Sequence, residues 1–574
     1  MHIFVSKSTH WLKSHYWAFV LALAVGIISV APQVFFSFSP GYQGIQMFGT
    51  DTEEYYVARI HEVYEGHFRL GNVFLPDKVR PYMAPPLGEI LTAGIGKILF
   101  LDAVRVDVFS KFLFPFLLFL LLYFFIYEVF VSKHIAILAS SLVLLGDNLL
   151  SSVNDIIGLA TFTTTSTGFL TYTRPVNPEI SSLLLFASLY MVWKVAETQE
   201  RKNKGKAFVL GTLFGLSIYV SIYVWSFLLV AIFLALLYSW LKKNGRISAL
   251  FIALATHAVI AVPFWLNSLE ARMYPEYLDA AARLGLGGSR APIWGVWLVF
   301  VTVAVFFLWP RRYPHAKWFF GFLVASSWVV TNQQIITGVV LQPGHYHWYI
   351  IKPLASIVLA ILFISLGGRL VKKKYAVTVL AAAGVLILFY NAVLIQFYSY
   401  RAHLSEAVEK QRYATLVSYV EQEYKVPQTI WSDANISAIL SMYTRHNAPN
   451  HNSVFAFLSS KEYLVKRLFL EYRTRGIRPE AFADALAKEE EMVSGRIFGH
   501  LYHDPAVLPR EVSGALNTQY ETYYHVPYAA LFQYFSVDIV VRDRRFEPDA
   551  AYESTSALKK TVEVGDGFVV YKLK

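Results

Sequence analysis

Apolar residues in this chain gather into eleven stretches, near 16–36, 109–131, 134–151, 179–196, 207–223, 224–241, 248–268, 293–309, 318–337, 349–367 and 375–397. Crossing the hydrocarbon of a bilayer takes about 20 consecutive apolar residues as a helix, because every backbone polar group must find its partner inside the segment. The chain is therefore expected to be a polytopic α-helical membrane protein with about 11 transmembrane helices. Charged residues make up 16% of it, against about 25% in ordinary soluble domains.

Residues 398–574 depart from that pattern. They hold 21 Lys/Arg and 22 Asp/Glu, so the net charge of +11 resides in residues 1–397. The expected organisation is a membrane domain over 1–397 and a soluble domain over 398–574. Within the membrane domain the excess base is confined to alternate short loops. One side carries 17 basic residues, among them Lys133, Arg201, Lys243, Arg311 and Lys373, and the other only Arg174, Arg272, Arg283 and Arg290. Lys and Arg accumulate on the cytoplasmic side. The N-terminus is thus expected in the cytoplasm and residues 398–574 outside, at the plasma or inner membrane, with the first span an uncleaved anchor. On this reading the basic pI is a property of membrane loops and does not point to nucleic acid. Cysteine is absent, which excludes disulfides and Cys-ligated zinc.

In the soluble domain, 428–433, 537–542 and 567–573 read as strands, and 436–443, 461–474 and 479–492 as helices, a small α/β unit. No P-loop, Gly-x-Ser-x-Gly elbow or His-Glu-x-x-His motif occurs.

The chemistry-bearing residues collect on the expected outer side. The first outer loop, 37–108, contains Gly49-Thr50-Asp51-Thr52-Glu53-Glu54-Tyr55-Tyr56 and then Pro85-Pro86 before Leu87–Leu101, an apolar stretch too short to span. Such a stretch reads as an interfacial or re-entrant helix. Thr50-x-x-Glu53 fits a helix capping box. Capping leaves unexplained why three carboxylates, Asp51, Glu53 and Glu54, crowd four positions, since like charges disfavour one another unless a base, a cation or a ligand uses them. Arg174, in Thr173-Arg174-Pro175-Val176-Asn177-Pro178-Glu179, is the one basic residue of its loop. It reads either as a phosphate contact or as a side chain snorkelling to lipid headgroups. Arg290 follows Gly287-Gly288, a second site suited to phosphate. The last outer loop ends Gln342-Pro343-Gly344-His345-Tyr346-His347-Trp348-Tyr349. An aromatic belt explains the tyrosines and tryptophan there, but not the paired His345 and His347.

These elements together resemble the GT-C superfamily of polyprenol-dependent membrane glycosyltransferases, and within it the protein O-mannosyltransferases, the aminoarabinose transferases and the catalytic subunit of oligosaccharyltransferase. The resemblance rests on the acidic motif from Asp51 to Tyr56, the interfacial stretch, the loop from Thr173 to Glu179, eleven spans and a soluble C-terminal domain. It implies inverting transfer of a sugar from a polyprenyl-phosphate or pyrophosphate donor to an acceptor at the outer face. Asp51, with Glu53 or Glu54 assisting, takes the catalytic role, and Arg174, Arg290, His345 and His347 bind the donor phosphate. Asn154-Asp155 sits where oligosaccharyltransferase-like members carry a metal-binding pair, so Asp51 and Asp155 are the candidate ligands should a divalent cation such as Mg or Mn be used. Two other classes stay open: a transporter or flippase of lipid-linked sugars, and a non-catalytic scaffold with an outer binding domain. Ionisable groups are scarce in the centres of the spans, which disfavours an ion-coupled transporter.

Overall fold

The structure is a computed structural model and describes residues 2–574 apart from 51, 198–202, 243–246, 285, 371–374, 500–506, 548–550 and 566. Asp51, and loop cations such as Arg201, Lys243 and Lys373, lie outside the described residues. Helix α1 covers His2–Ser37, and two helices occupy the long loop expected on the outer side, called the first outer loop, α2 (Glu53–Tyr64) and α3 (Leu87–Leu99). There follow α4 (Ala103–Phe130), α5 (Lys133–Leu145), α6 (Val153–Thr161), α7 (Glu179–Glu197), α8 (Lys204–Ser217), α9 (Ile222–Leu241) and α10 (Ile247–Ala271). The remaining membrane segments are Val296–Leu308, Pro314–Thr331, Pro343–Arg369 and Ala376–Lys410.

A helical segment coincides with each of the eleven apolar stretches. Among the described residues seven helices are long and apolar enough to cross a membrane, while α5 and Val296–Leu308 are apolar but shorter. The chain is a multi-pass membrane protein. Side-chain caps set several boundaries: Asp102 accepts from Arg105 N at the start of α4, Ser132 from Ile135 N at α5, and Ser221 from Val224 N at α9. An oxygen at that position satisfies one of the donors a helix start leaves unpaired. Ser221 is what divides the long apolar run 207–241 into two helices.

One apolar core fills the bundle. A second is shared between the first outer loop and the C-terminal domain, packing Val57, Ile60 and Phe74 with Leu416, Trp431 and Ile539. The two therefore sit at the same end of the bundle and form one body. The helix Ala376–Lys410 runs unbroken through the expected boundary at 397/398 and carries the chain into that body.

Two short strands, β1 (Leu286–Gly288) and β2 (Val339–Leu341), pair antiparallel and tie two outer loops together. The C-terminal domain holds β3 (Ile430–Trp431), β4 (Ile539–Asp543), β5 (Leu558–Val564) and β6 (Phe568–Leu573) in the order β3-β4-β6-β5. Only the β3–β4 pair is parallel. Three of these strands match the sequence reading. The edge strand β5 escapes it because its Lys559, Lys560 and Glu563 give a charged stretch, as solvent-facing edges commonly do.

Candidate active site

The start of α2 is pinned from beneath. Glu53, 1% exposed, accepts from Gly49 N (3.0 Å), Thr50 N (2.9 Å) and Thr50 Oγ1 (2.8 Å), and its second oxygen lies 2.8 Å from Lys111 Nζ. One half of a capping box is thus present, the carboxylate reaching back to Thr50 N–H. The helix, however, begins only at Glu53, with Thr52 in the left-handed region at φ 57°. Gly49 has no room for a side chain, since a Cβ there would fall 2.4 Å from Phe169. Burial works against the charge on Glu53, but the Lys111 ammonium and these N–H groups outweigh it and hold the carboxyl below its usual range.

Lys111, on α4, lies also 3.1 Å from Asp107 and donates to Thr173 O (3.1 Å). Glu179, the first residue of α7, accepts from Ser110 Oγ at 3.2 Å. Glu53, Asp107, Lys111 and Glu179 are all at most 1% exposed. A buried ion cluster is costly to dismantle one partner at a time. This one bolts the first outer loop, the loop before α7 and α4 into a single frame. The sequence reading contained no role for Lys111 or Asp107, although a Lys and an Asp four residues apart in an apolar helix are themselves a signal.

On that frame sits Arg174. Its Nη1 donates to Asn177 O (3.0 Å) and Tyr349 Oη (2.6 Å), its Nη2 to Thr52 Oγ1 (2.7 Å), and the guanidinium lies 5.5 Å from the ring centre of Tyr56. Three loops, those holding Thr52, Asn177 and Tyr349, therefore meet at one cation. Glu54, next along α2, pairs with Lys410 at 3.3 Å. His345 continues the cluster, stacked on Tyr223 (4.4 Å between centroids) and 5.5 Å from Tyr349, while Tyr223 Oη donates to Gln342 Oε1.

The other sequence candidates are placed elsewhere. His347 is two residues further on, and 3.6 residues per turn puts it on a different side of the helix. It lies by Trp348 and within electrostatic reach of Lys352 and Asp147, which themselves pair at 2.7 Å. Arg290 is exposed and donates to the carbonyls of Ile335 and Ile336 beside the β1–β2 pair.

Asp155 Oδ1 accepts from Thr164 Oγ1, Thr165 N and Thr165 Oγ1. Burial opposes its charge, and these donors overcome it and lower the carboxyl below its usual range. Asp147 and Asp155 line one cavity of about 220 Å³, but each is already satisfied by protein groups. Among the described residues no three His, Asp or Glu are gathered as metal ligands.

An open, mainly apolar groove of about 560 Å³ lies nearby, between Leu87 and Ile90 of α3, Leu216 of α8 and Leu266 of α10. The ion pair Arg69–Glu270 (2.6 Å) stands at its edge. Fully buried Arg59 fixes α2 to the start of α3 through Glu89 (2.5 Å) and the carbonyls of Ala84 and Pro85. On α3, Leu91, Ile98 and Leu99 are exposed, as is Phe100 just beyond its end, which suits contact with lipid.

No family model and no curated protein matches this sequence. Solved structures do match its fold. ArnT from Cupriavidus metallidurans, in the apo state, superposes with a TM-score of 0.50 at 11% identity, covering 98% of both chains. The same protein bound to undecaprenyl phosphate gives the same values. The apo Archaeoglobus fulgidus oligosaccharyltransferase matches at a TM-score of 0.48 and 13% identity, covering 92% of this chain and 69% of its own. At these identities the comparison establishes the fold: this chain has the membrane architecture of ArnT, as expected from the GT-C resemblance.

Proposed function

We propose that the protein is an integral membrane glycosyltransferase of the GT-C type, moving a sugar from a polyprenyl-phosphate-linked donor to an acceptor. The observation that carries this reading is Arg174, held by three loops on a buried ion frame, hydrogen-bonded to Thr52, the sequence neighbour of Asp51, and near an apolar groove. The shared fold supports it, because the ArnT structure was solved with undecaprenyl phosphate. The candidate site would then face the side away from the cytoplasm, the side expected from the loop cations.

In this reading the prenyl chain lies along α3 and the donor phosphate meets Arg174. A guanidinium already oriented by Thr52, Asn177 and Tyr349 pays little reorganisation when charge develops on the leaving oxygen. Asp51 takes the proton of the acceptor nucleophile. The nucleophile's lone pair forms the new bond to the anomeric carbon as the bond from that carbon to phosphate oxygen breaks, and the phosphate leaves with the electron pair. Attack opposite the leaving group inverts the anomeric centre. Glu53 holds the α2 start in place, and His345 flanks the phosphate through its stack on Tyr223. Arg290 and His347 stand apart from this centre, and a divalent cation, if one takes part, draws on Asp51.

Two substitutions test the reading in purified, reconstituted protein supplied with polyprenyl-phosphate-linked sugar. Asp51→Asn, which keeps the shape of the side chain, is expected to lower turnover by about 10²–10⁴ with stability preserved. Arg174→Ala is expected to raise the KM for donor about tenfold or more, the equivalent of a lost charge-assisted bond. Wild-type turnover in Asp51→Asn would sink the base assignment. Donor crossing the bilayer without release of polyprenyl phosphate would identify a flippase instead.

A further inference from the structure

A crevice of about 330 Å³ opens between the first outer loop, the loop after α10 and the C-terminal domain. Its walls come from segments distant in sequence: Asn72 and Arg80, Glu276, and Tyr463 with Tyr534. The wall on the first-loop side is tightly folded, Gly71 lying so close to the Arg80 carbonyl that a Cβ would sit 1.6 Å from its oxygen. Phe457 touches Tyr55 of α2, and the next residue, Leu458, lines the crevice. The crevice therefore abuts the back of the helix that carries the candidate active site.

Among the described residues, several polar atoms here have no hydrogen-bond partner. Asn72 is 3% exposed, and its Oδ1 accepts no hydrogen bond. Glu276 Oε1 reaches Arg80 at 3.4 Å, but its buried Oε2 has no donor, and neither does the buried Tyr463 hydroxyl have a partner. Buried polar groups left unpaired cost stability, and each calls for an explanation. Arg80, in contrast, is occupied by Asp77 (2.8 Å) and by Leu458 O (3.0 Å). The unmet demand is thus for hydrogen-bond donors beside two carboxylates, which disfavours an anion. Alongside stands an aromatic face: Tyr534 is 46% exposed, 4.9 Å from Phe535, which in turn lies 5.2 Å from Tyr463.

A ligand that offers hydroxyl donors on its rim and a flat C–H face to an aromatic ring is a sugar. We propose that this crevice is a saccharide-binding subsite for one neutral sugar unit. Its size falls at the small end of ligand pockets, about 300–1,000 Å³. If the protein is the glycosyltransferase proposed above, on which this part of the inference rests, the unit is a glycan ring of the acceptor.

The test is saturation-transfer NMR on the full-length protein in a detergent without a sugar headgroup. The probes are glucose, mannose, galactose and N-acetylglucosamine, with glucosamine as a cationic comparison. At least one neutral sugar is expected to bind through its ring C–H protons. Tyr463→Phe, which removes only the hydroxyl, and Tyr534→Ala, on an exposed ring, are each expected to weaken binding about fivefold or more. No signal from any neutral sugar, binding unchanged in both variants, or binding by glucosamine alone would overturn the proposal. Because binding is read without turnover, the two readings fail separately. Sugar binding without transfer leaves the subsite and removes the enzyme, and transfer with unaltered sugar binding in both variants does the reverse.

Discussion

Arg174 and Lys111 show why one cation is legible in the sequence and another is not. Arg174 stands alone among prolines in an outer loop, so its isolation marks it. Lys111 sits in an apolar helix, and its partners Glu53 and Glu179 are 58 and 68 residues away in sequence, out of reach of any local pattern. The pair His345 and His347 errs the other way, since adjacency in sequence suggested a shared role and helical geometry separated them. A residue outside the membrane gives a pH test. Burial raises the Glu547 carboxyl from near 4.5 to about 7, although Tyr552 Oη donates to it at 2.8 Å. The folded form holds a proton that the unfolded chain releases above about pH 4.5. Its contribution is therefore full below that pH and lost as pH rises to 7, about 3 kcal/mol in all. Glu547→Gln should match wild type near pH 4.5 and exceed it in thermal stability at pH 8. Parallel melting curves at the two pH values check this.

At the scale of elements, α2 is held by what lies under it more than by its own sequence. It has 12 residues and no side-chain bond at its Thr52 cap, and isolated helices of that length are marginal. Its place comes from Glu53 on Lys111 at one end and Arg59 on Glu89 further along. Lys111→Met keeps the volume but strands Glu53, Asp107 and Glu179 without their cation. The expected cost is about 3–5 kcal/mol, read as a lower unfolding midpoint. Neutralising Glu53 and Asp107 in the same protein, as Gln and Asn, should restore most of it. If Lys111→Met melts like wild type, the cluster is not the anchor of α2. The short helix α3 was readable because an apolar run follows Pro85-Pro86, whereas the true start of α2 depended on tertiary contacts that no capping motif encodes.

For the whole molecule, the eleven apolar runs made the helical bundle legible, and the charge contrast after residue 398 set apart the segment that carries the small four-stranded sheet. The shared core between that domain and the first outer loop was not legible, because Val57 and Ile539 carry no sign of their partnership. That core puts the C-terminal body and the candidate active site on one side of the bilayer. A reporter fused after Lys574 should be active only outside the cytoplasm, and the opposite result would invert every assignment of face. The helix Ala376–Lys410 has 35 residues, a length of about 52 Å, against roughly 30 Å of hydrocarbon. Some 20 Å thus stands proud of the oily layer as a stiff post, and its tip is fastened to the first outer loop by Lys410 on Glu54 and by Gln411 on the backbone of Gln43 and Ile45. A post embedded at one end and tied at the other works as a gauge: a thicker or thinner membrane shifts its height, and the spacing between lipid headgroups and Arg174 shifts with it.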